Sequence, residues 1–138
     1  MKVEFSCDGK YLATASMDGT IGIWKVDAPN NVFRTLEGPG ADINWMEWHP
    51  KGPAIVAGSE DLTIWVWDLA KPLAIMQGFE APSKMGGWSP NGQFVYSAGE
   101  DGTVRVWNMK EVNNLNATCV CNLKGPFFHR SPILSCVM

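Results

Sequence analysis

Four residues toward the end of the chain are of the types that hold zinc: Cys119, Cys121, His129 and Cys136. A structural zinc site needs four such donors in a tetrahedron, usually with its paired cysteines separated by two to four residues. Here only Val120 separates the pair, and residues two apart on a strand merely share a face. The expectation is idle or buried thiols and no metal. Three aspartates suggest a second chemistry, because carboxylates that converge can act as general acid and base. Asp18, Asp61 and Asp101, however, each stand at a tight turn of their own, Asp18-Gly19, Asp61-Leu62 and Asp101-Gly102, so a structural role is expected. Nucleophilic catalysis needs a base beside the nucleophile. The two histidines, His49 and His129, lie far apart in the chain, and His49 opens a His-Pro turn. No Gly-rich phosphate loop or nucleophile elbow is present. The reading is therefore no catalytic residue, no cofactor and no enzyme.

What positions these residues is set by the whole chain. Its 138 residues suit one domain, and 46% apolar content is too high for a disordered tail. A net charge of −3 runs against a direct role in binding nucleic acid, and the bases are scattered, six of the eight lysines (Lys10, Lys25, Lys51, Lys71, Lys110 and Lys124) falling in or near separate turns rather than in a stripe. No apolar run approaches the roughly 20 residues of a membrane helix; the strongest is Ile64 to Trp67. The first residues offer no apolar stretch for a signal peptide. Four cysteines, Cys7 among them, form no staple pattern. The expected compartment is the cytoplasm, with the nucleus as an addition.

A repeat settles the fold class. Trp24, Trp67 and Trp107 are separated by 43 and 40 residues, and the same two steps relate Gly9, Gly52 and Gly92; Leu12, Ile55 and Val95; Asp18, Asp61 and Asp101; Thr20, Thr63 and Thr103; and Phe5, Trp48 and Trp88. Each unit reads as four short strands. The first ends at Phe5, Trp48 or Trp88 and turns at Cys7-Asp8-Gly9, Pro50-Lys51-Gly52 or Pro90-Asn91-Gly92, where glycine is expected at positive φ. The second covers Tyr11 to Ser16, Ala54 to Ser59 or Phe94 to Gly99, and the third Thr20 to Val26, Thr63 to Leu69 or Thr103 to Met109. A looser fourth covers Val32 to Leu36, Leu73 to Met76 or Ala117 to Leu123. No window has a 3.6-residue apolar period, so no helix is expected.

These spacings resemble the WD-repeat β-propeller family, whose blades are four-stranded sheets. Asp stands six residues before Trp three times, each in a Thr-x-x-x-Trp strand. The family's Gly-His opening is replaced by Gly38-Pro39, Gly78-Phe79 and Gly125-Pro126, so its Asp-His-Ser-Trp relay is expected only for Asp101 and Trp107 with His129. The fold expected is an incomplete all-β propeller over 1–138: blades at about 1–38, 43–78 and 83–124, and the inner strand of a fourth over 129–138. Three blades leave two apolar faces open. A longer parent chain, or self-association, is expected to supply the missing blades.

Leu36-Glu37-Gly38-Pro39-Gly40 before Trp45-Met46-Glu47-Trp48-His49-Pro50, with Gly99-Glu100-Asp101-Gly102-Thr103-Val104-Arg105-Val106-Trp107, looks like the angio-associated migratory cell protein group. Its fungal relatives act as assembly chaperones for a large-subunit ribosomal protein. That resemblance implies a non-catalytic scaffold that shields a basic ribosomal protein; the alternative is a general WD-repeat adaptor in a ubiquitin-ligase, signalling or trafficking complex. The repeat pattern puts Glu37, Asp42, Glu60, Glu100 and, at its margin, Glu80 on one rim, where carboxylates would draw in a basic protein partner. Trp45 is out of phase with Ile43, Met46 and Trp48 and is expected to present its ring there as an anchor.

Overall fold

A computed structural model describes residues 1–123 of the chain. Twelve strands form three antiparallel sheets, each a meander of four neighbours in chain order. The first blade holds β1 (Lys2–Phe5), β2 (Tyr11–Ala15), β3 (Ile21–Lys25) and β4 (Ala28–Leu36). The second holds β5 (Ile43–Trp48), β6 (Ile55–Ser59), β7 (Ile64–Trp67) and β8 (Pro72–Met76). The third holds β9 (Ser83–Trp88), β10 (Phe94–Gly99), β11 (Val104–Asn113) and β12 (Asn116–Leu123). This is the blade architecture of a WD-repeat β-propeller, without ring closure and without a helix among the described residues. The strand expected over 129–138, with His129, lies outside the described residues.

Local bonds make each repeat fold alike. Asp18 accepts from the backbone N–H of Thr20 at 3.0 Å and from its hydroxyl at 2.7 Å. The Asp61–Thr63 and Asp101–Thr103 pairs repeat both bonds. This turn, in which aspartate mimics a backbone acceptor, explains why the two columns travel together. At the other end, Asp8 and Asn91 accept from Lys10 and Gln93 N–H, and Gly9 and Gly92 take φ of 71° and 72°. Gly52 does not share that positive φ. In the second blade His49 replaces the serine of the other two, and its Nδ1 accepts from Lys51 N–H, so the expectation of a left-handed glycine fails there.

Packing runs between blades. Ile21, Ile23, Trp48, Ile55, Ala57 and Trp67 bury one side of the second sheet against the first. Trp45, Val56, Ile64, Val66, Trp88, Val95 and Trp107 bury the other side against the third. All five residues of β6 are therefore buried, which is why a small, apolar strand shows no alternation there.

The third blade departs from the other two. The strands β11 and β12 were expected to stop near Met109 and to start at Ala117, but they extend to a tip at Asn114 and Leu115, both at positive φ. Two successive left-handed residues make a tight hairpin turn. The tip reaches the second blade, where Ile75 N–H donates to Leu115 O at 2.7 Å.

Candidate functional site

The meander alternates strand direction, so the β2–β3, β6–β7 and β10–β11 turns share one end of the blades with the interblade connections 37–42 and 77–82. That end is bonded into a continuous rim. Glu60 N–H donates to Asp42 O, and Glu100 N–H donates to Pro82 O. Gly40 N–H donates to Asp61 Oδ2 at 3.2 Å, and Ser59 Oγ donates to Ala41 O. With Pro39 and Gly40 in place of the family's histidine, main chain does the work of the missing side chain. Trp67 Nε1–H accordingly finds Glu37 O at 3.0 Å, whereas in the first blade Trp24 Nε1–H donates to a side chain, Thr14 Oγ1, at 3.1 Å. The relay expected for Asp101 and Trp107 depends on His129, outside the described residues; Asp101 Oδ2 has Arg105 Nη2 at 3.9 Å.

Five of the six expected binding residues lie on this rim. Glu37, Glu60, Glu80 and Glu100 are exposed and Asp42 is half-buried. Asp18, Asp61 and Asp101 join them, making eight carboxylates, with Lys2, Lys84 and Arg105 as the cationic side chains at this end among the described residues. Two of them, Lys84 and Arg105, are engaged. Lys84 Nζ lies 2.6 Å from Glu60 and 3.4 Å from Glu100. Arg105 spans Asp101, Gly78 O and the Phe79 ring. The Lys84 ammonium holds the Glu60 carboxyl below its usual range, and Thr20 does the same for Asp18 by hydrogen bonding. These acids stay charged well below neutrality, which keeps the rim negative.

Trp45 is a correction. Its ring is 7% exposed and sits between the second and third blades, with Nε1–H donating to Ser83 Oγ at 2.9 Å. In stacked sheets both faces of an inner strand are buried, so being out of phase with its apolar neighbours moves a side chain to the next interface and not to water. The thiols of Cys119 and Cys121 are free, with Cys119 exposed; no group of three or more metal donors occurs among the described residues.

Two glutamates escaped the sequence reading. Glu4 and Glu47 stand one repeat apart on the innermost strands, immediately before the Phe5/Trp48 column. Glu4 Oε2 accepts from Trp48 N–H at 3.2 Å and Glu47 Oε1 from Trp88 N–H at 3.4 Å, each carboxylate tying its blade to the next. Burial is the main cause that pushes both carboxyls up; the Trp48 and Trp88 N–H groups offset it in part, and the charge of Glu47 adds to Glu4. A carboxyl raised on folding holds a proton that the unfolded chain has lost, so its contribution to stability declines as pH rises through that window. Glu47→Gln cannot titrate, yet it still offers Trp88 an acceptor. The variant is expected to gain on the parent between about pH 4 and about pH 7, by less than about 1 kcal/mol for a half-exposed group. Urea midpoints at the two pH values measure this, and a constant difference would refute it.

The family model described as WD domain, G-beta repeat matches residues 1–25, 30–68 and 72–108. Over 79 residues the chain is 35% identical to Angio-associated migratory cell protein of Homo sapiens, covering 57% of this chain and 17% of that protein. It is 33% identical over 69 residues to Target of rapamycin complex subunit wat1 of Schizosaccharomyces pombe, covering 50% and 21%. It is 34% identical over 68 residues to Transcription initiation factor TFIID subunit 5 of Caenorhabditis elegans, covering 49% and 10%. The chain thus spans about a fifth or less of each of these relatives. Two of the three names denote subunits of larger assemblies, in keeping with repeats that act as protein-interaction scaffolds. Three repeats matched in register, each folded as a four-stranded blade, place the chain in the WD domain, G-beta repeat family.

Proposed function

We propose that the chain is part of a binding scaffold whose acidic rim receives a basic protein, and that this protein is a ribosomal protein held before it joins the large subunit, in the cytoplasm or nucleus. The observation that carries the reading is the rim itself: eight carboxylates at one end of the blades against three cationic side chains, two of which, Lys84 and Arg105, are already paired with rim acids. Such a field speeds the encounter with a cationic partner and weakens as salt screens it. The resemblance to the angio-associated migratory cell protein group supports the ribosomal part of the reading. The test is binding of a panel of purified large-subunit ribosomal proteins to the chain and to a Glu60→Lys/Glu100→Lys variant. Reversal adds two cations beside Lys84, so association is expected to slow about tenfold or more at low salt, with the gap closing at high salt. Equal rates for parent and variant, or no binding by any member of the panel, would overturn the reading.

A further inference from the structure

The end of the blades opposite the rim carries a second feature, independent of the acidic surface. Where one blade's inner turn meets the next blade, each junction has a hollow built from equivalent repeat positions. Between the first and second blades its volume is 280 Å³, and its lining includes Ser6, Tyr11, Gly52 and Leu69. Between the second and third it is 630 Å³, and the equivalents lining it are His49, Ala54, Gly92 and Met109. The repeat thus sets Tyr11 against Ala54. At the smaller hollow the Tyr11 ring stacks on Trp48, with centroids 6.3 Å apart and planes 24° from parallel. At the larger one Trp88 occupies the position of Trp48, and among the described residues no ring is recorded as stacking on it as Tyr11 stacks on Trp48, the His49 ring meeting it only by its edge. The extended β11–β12 hairpin walls this groove further, contributing Met109 and Val112, while Leu73 comes from the second blade.

Two polar details distinguish the larger groove. Trp48 Nε1–H donates to Glu4 O at 2.9 Å, but the equivalent Trp88 Nε1, buried, has no acceptor among the described residues. The His49 ring meets Trp88 edge-on at 4.6 Å, and both its nitrogens are engaged, Nδ1 by Lys51 N–H and Nε2 by Gly92 O. A buried donor without a partner costs stability, which sets the Trp88 indole apart from that of Trp48. Among the described residues lining the groove, the one of formal charge is Lys110, which is exposed, with Glu111 beside it in sequence.

We infer that this groove receives an aromatic side chain from a partner protein, carried on a segment with an acidic residue next to it. The ring takes the place against Trp88 that Tyr11 takes against Trp48, and the acid meets Lys110. Aromatic anchors in such hollows carry a large share of interface energy, and the neighbouring acid supplies the charge complementarity.

The probe is the blocked dipeptide acetyl-Asp-Tyr-amide, followed by the indole N–H resonance of Trp88 in the full chain, assigned with Trp88→Phe. The expected result is a saturable shift of that resonance. Acetyl-Asp-Ala-amide should bind about tenfold more weakly, Lys110→Glu should weaken the tyrosyl probe about threefold, and Ala54→Tyr should abolish binding by filling the groove from within. Ala54→Leu serves the same purpose if the tyrosine variant does not fold. Glu60→Lys/Glu100→Lys should bind the probe normally, so failure of the rim reading and failure of this one are separable. No saturable shift in the parent, or one that persists in both Ala54 variants, would overturn the inference. So would a probe that splits a dimer in sedimentation, since that assigns the groove to this chain itself.

Discussion

Trp45→Ala is expected to cost about 3–5 kcal/mol, the range for removing a large buried aromatic side chain. For a domain with about 5–15 kcal/mol in total, that is enough to broaden or abolish the cooperative transition. The ring is 7% exposed and belongs to the cluster shared by the second and third blades, with Val56, Val66, Trp88 and Val95. Truncation opens a cavity at a blade interface, where neither sheet can move in without disturbing its own ladder. Trp45→Phe separates the two contributions in part, because it keeps a six-membered ring in the interface while losing the hydrogen bond to Ser83 Oγ and the remainder of the indole. That serine is itself buried and keeps the carbonyls of Met85 and Ala98 within hydrogen-bond reach, so the phenylalanine variant should cost about 1–2 kcal/mol. Urea unfolding measures both. An alanine variant within about 1 kcal/mol of the parent would mean that the tryptophan is free at the surface, as its sequence phase had suggested.

The contrast between Trp45 and the repeat columns shows what the sequence makes legible. Asp61 and Thr63 are two residues apart and bond directly to one another, so residue type and spacing carry their whole geometry. The same holds for Asp8 with Lys10 and Asn91 with Gln93. The strands between such turns follow with only their ends uncertain. Trp45 is governed by Gly58 in its own sheet and Gly86 in the next, and no local pattern announces a partner about forty residues away. Glu4 and Glu47 were hidden for a related reason. Their meaning lies in the backbone N–H of the following blade, although their equivalence one repeat apart was visible in the spacing. The long β11–β12 hairpin was missed because Asn114-Leu115 is not a strong turn pair, and the bond from Ile75 to Leu115 that anchors the tip comes from another blade. The acidic rim was legible because it follows from strand direction alone, once four strands per repeat are assigned.

The glycines around Trp45 give the sharpest test of this interface. A Cβ at Gly58 would fall on the Trp45 ring, with all three of its nearest atoms belonging to that side chain. A Cβ at Gly86 would meet both the Trp45 ring and the backbone carbonyl of Tyr96. Neither glycine has a positive φ, so alanine at either site is opposed by space and not by backbone conformation. In the parent, Gly58→Ala and Gly86→Ala should each cost about 1–3 kcal/mol, the usual penalty for overpacking. With Trp45→Ala as background the two should part. Gly58→Ala should become neutral or gain about 0.4–1 kcal/mol, since its three nearest obstacles are gone and alanine restricts the unfolded chain. Gly86→Ala should remain costly, because the Tyr96 carbonyl is held by the sheet and stays where it was. The four chains of each cycle can be compared by urea unfolding in trimethylamine oxide, which favours burial and keeps the weakest of them folded. A coupling of about 1–3 kcal/mol for Gly58 with a clearly smaller one for Gly86 would place the indole ring between the two strands. Equal couplings would mean that the ring leans on one glycine as much as on the other, and additive costs at both sites would mean that it packs against neither.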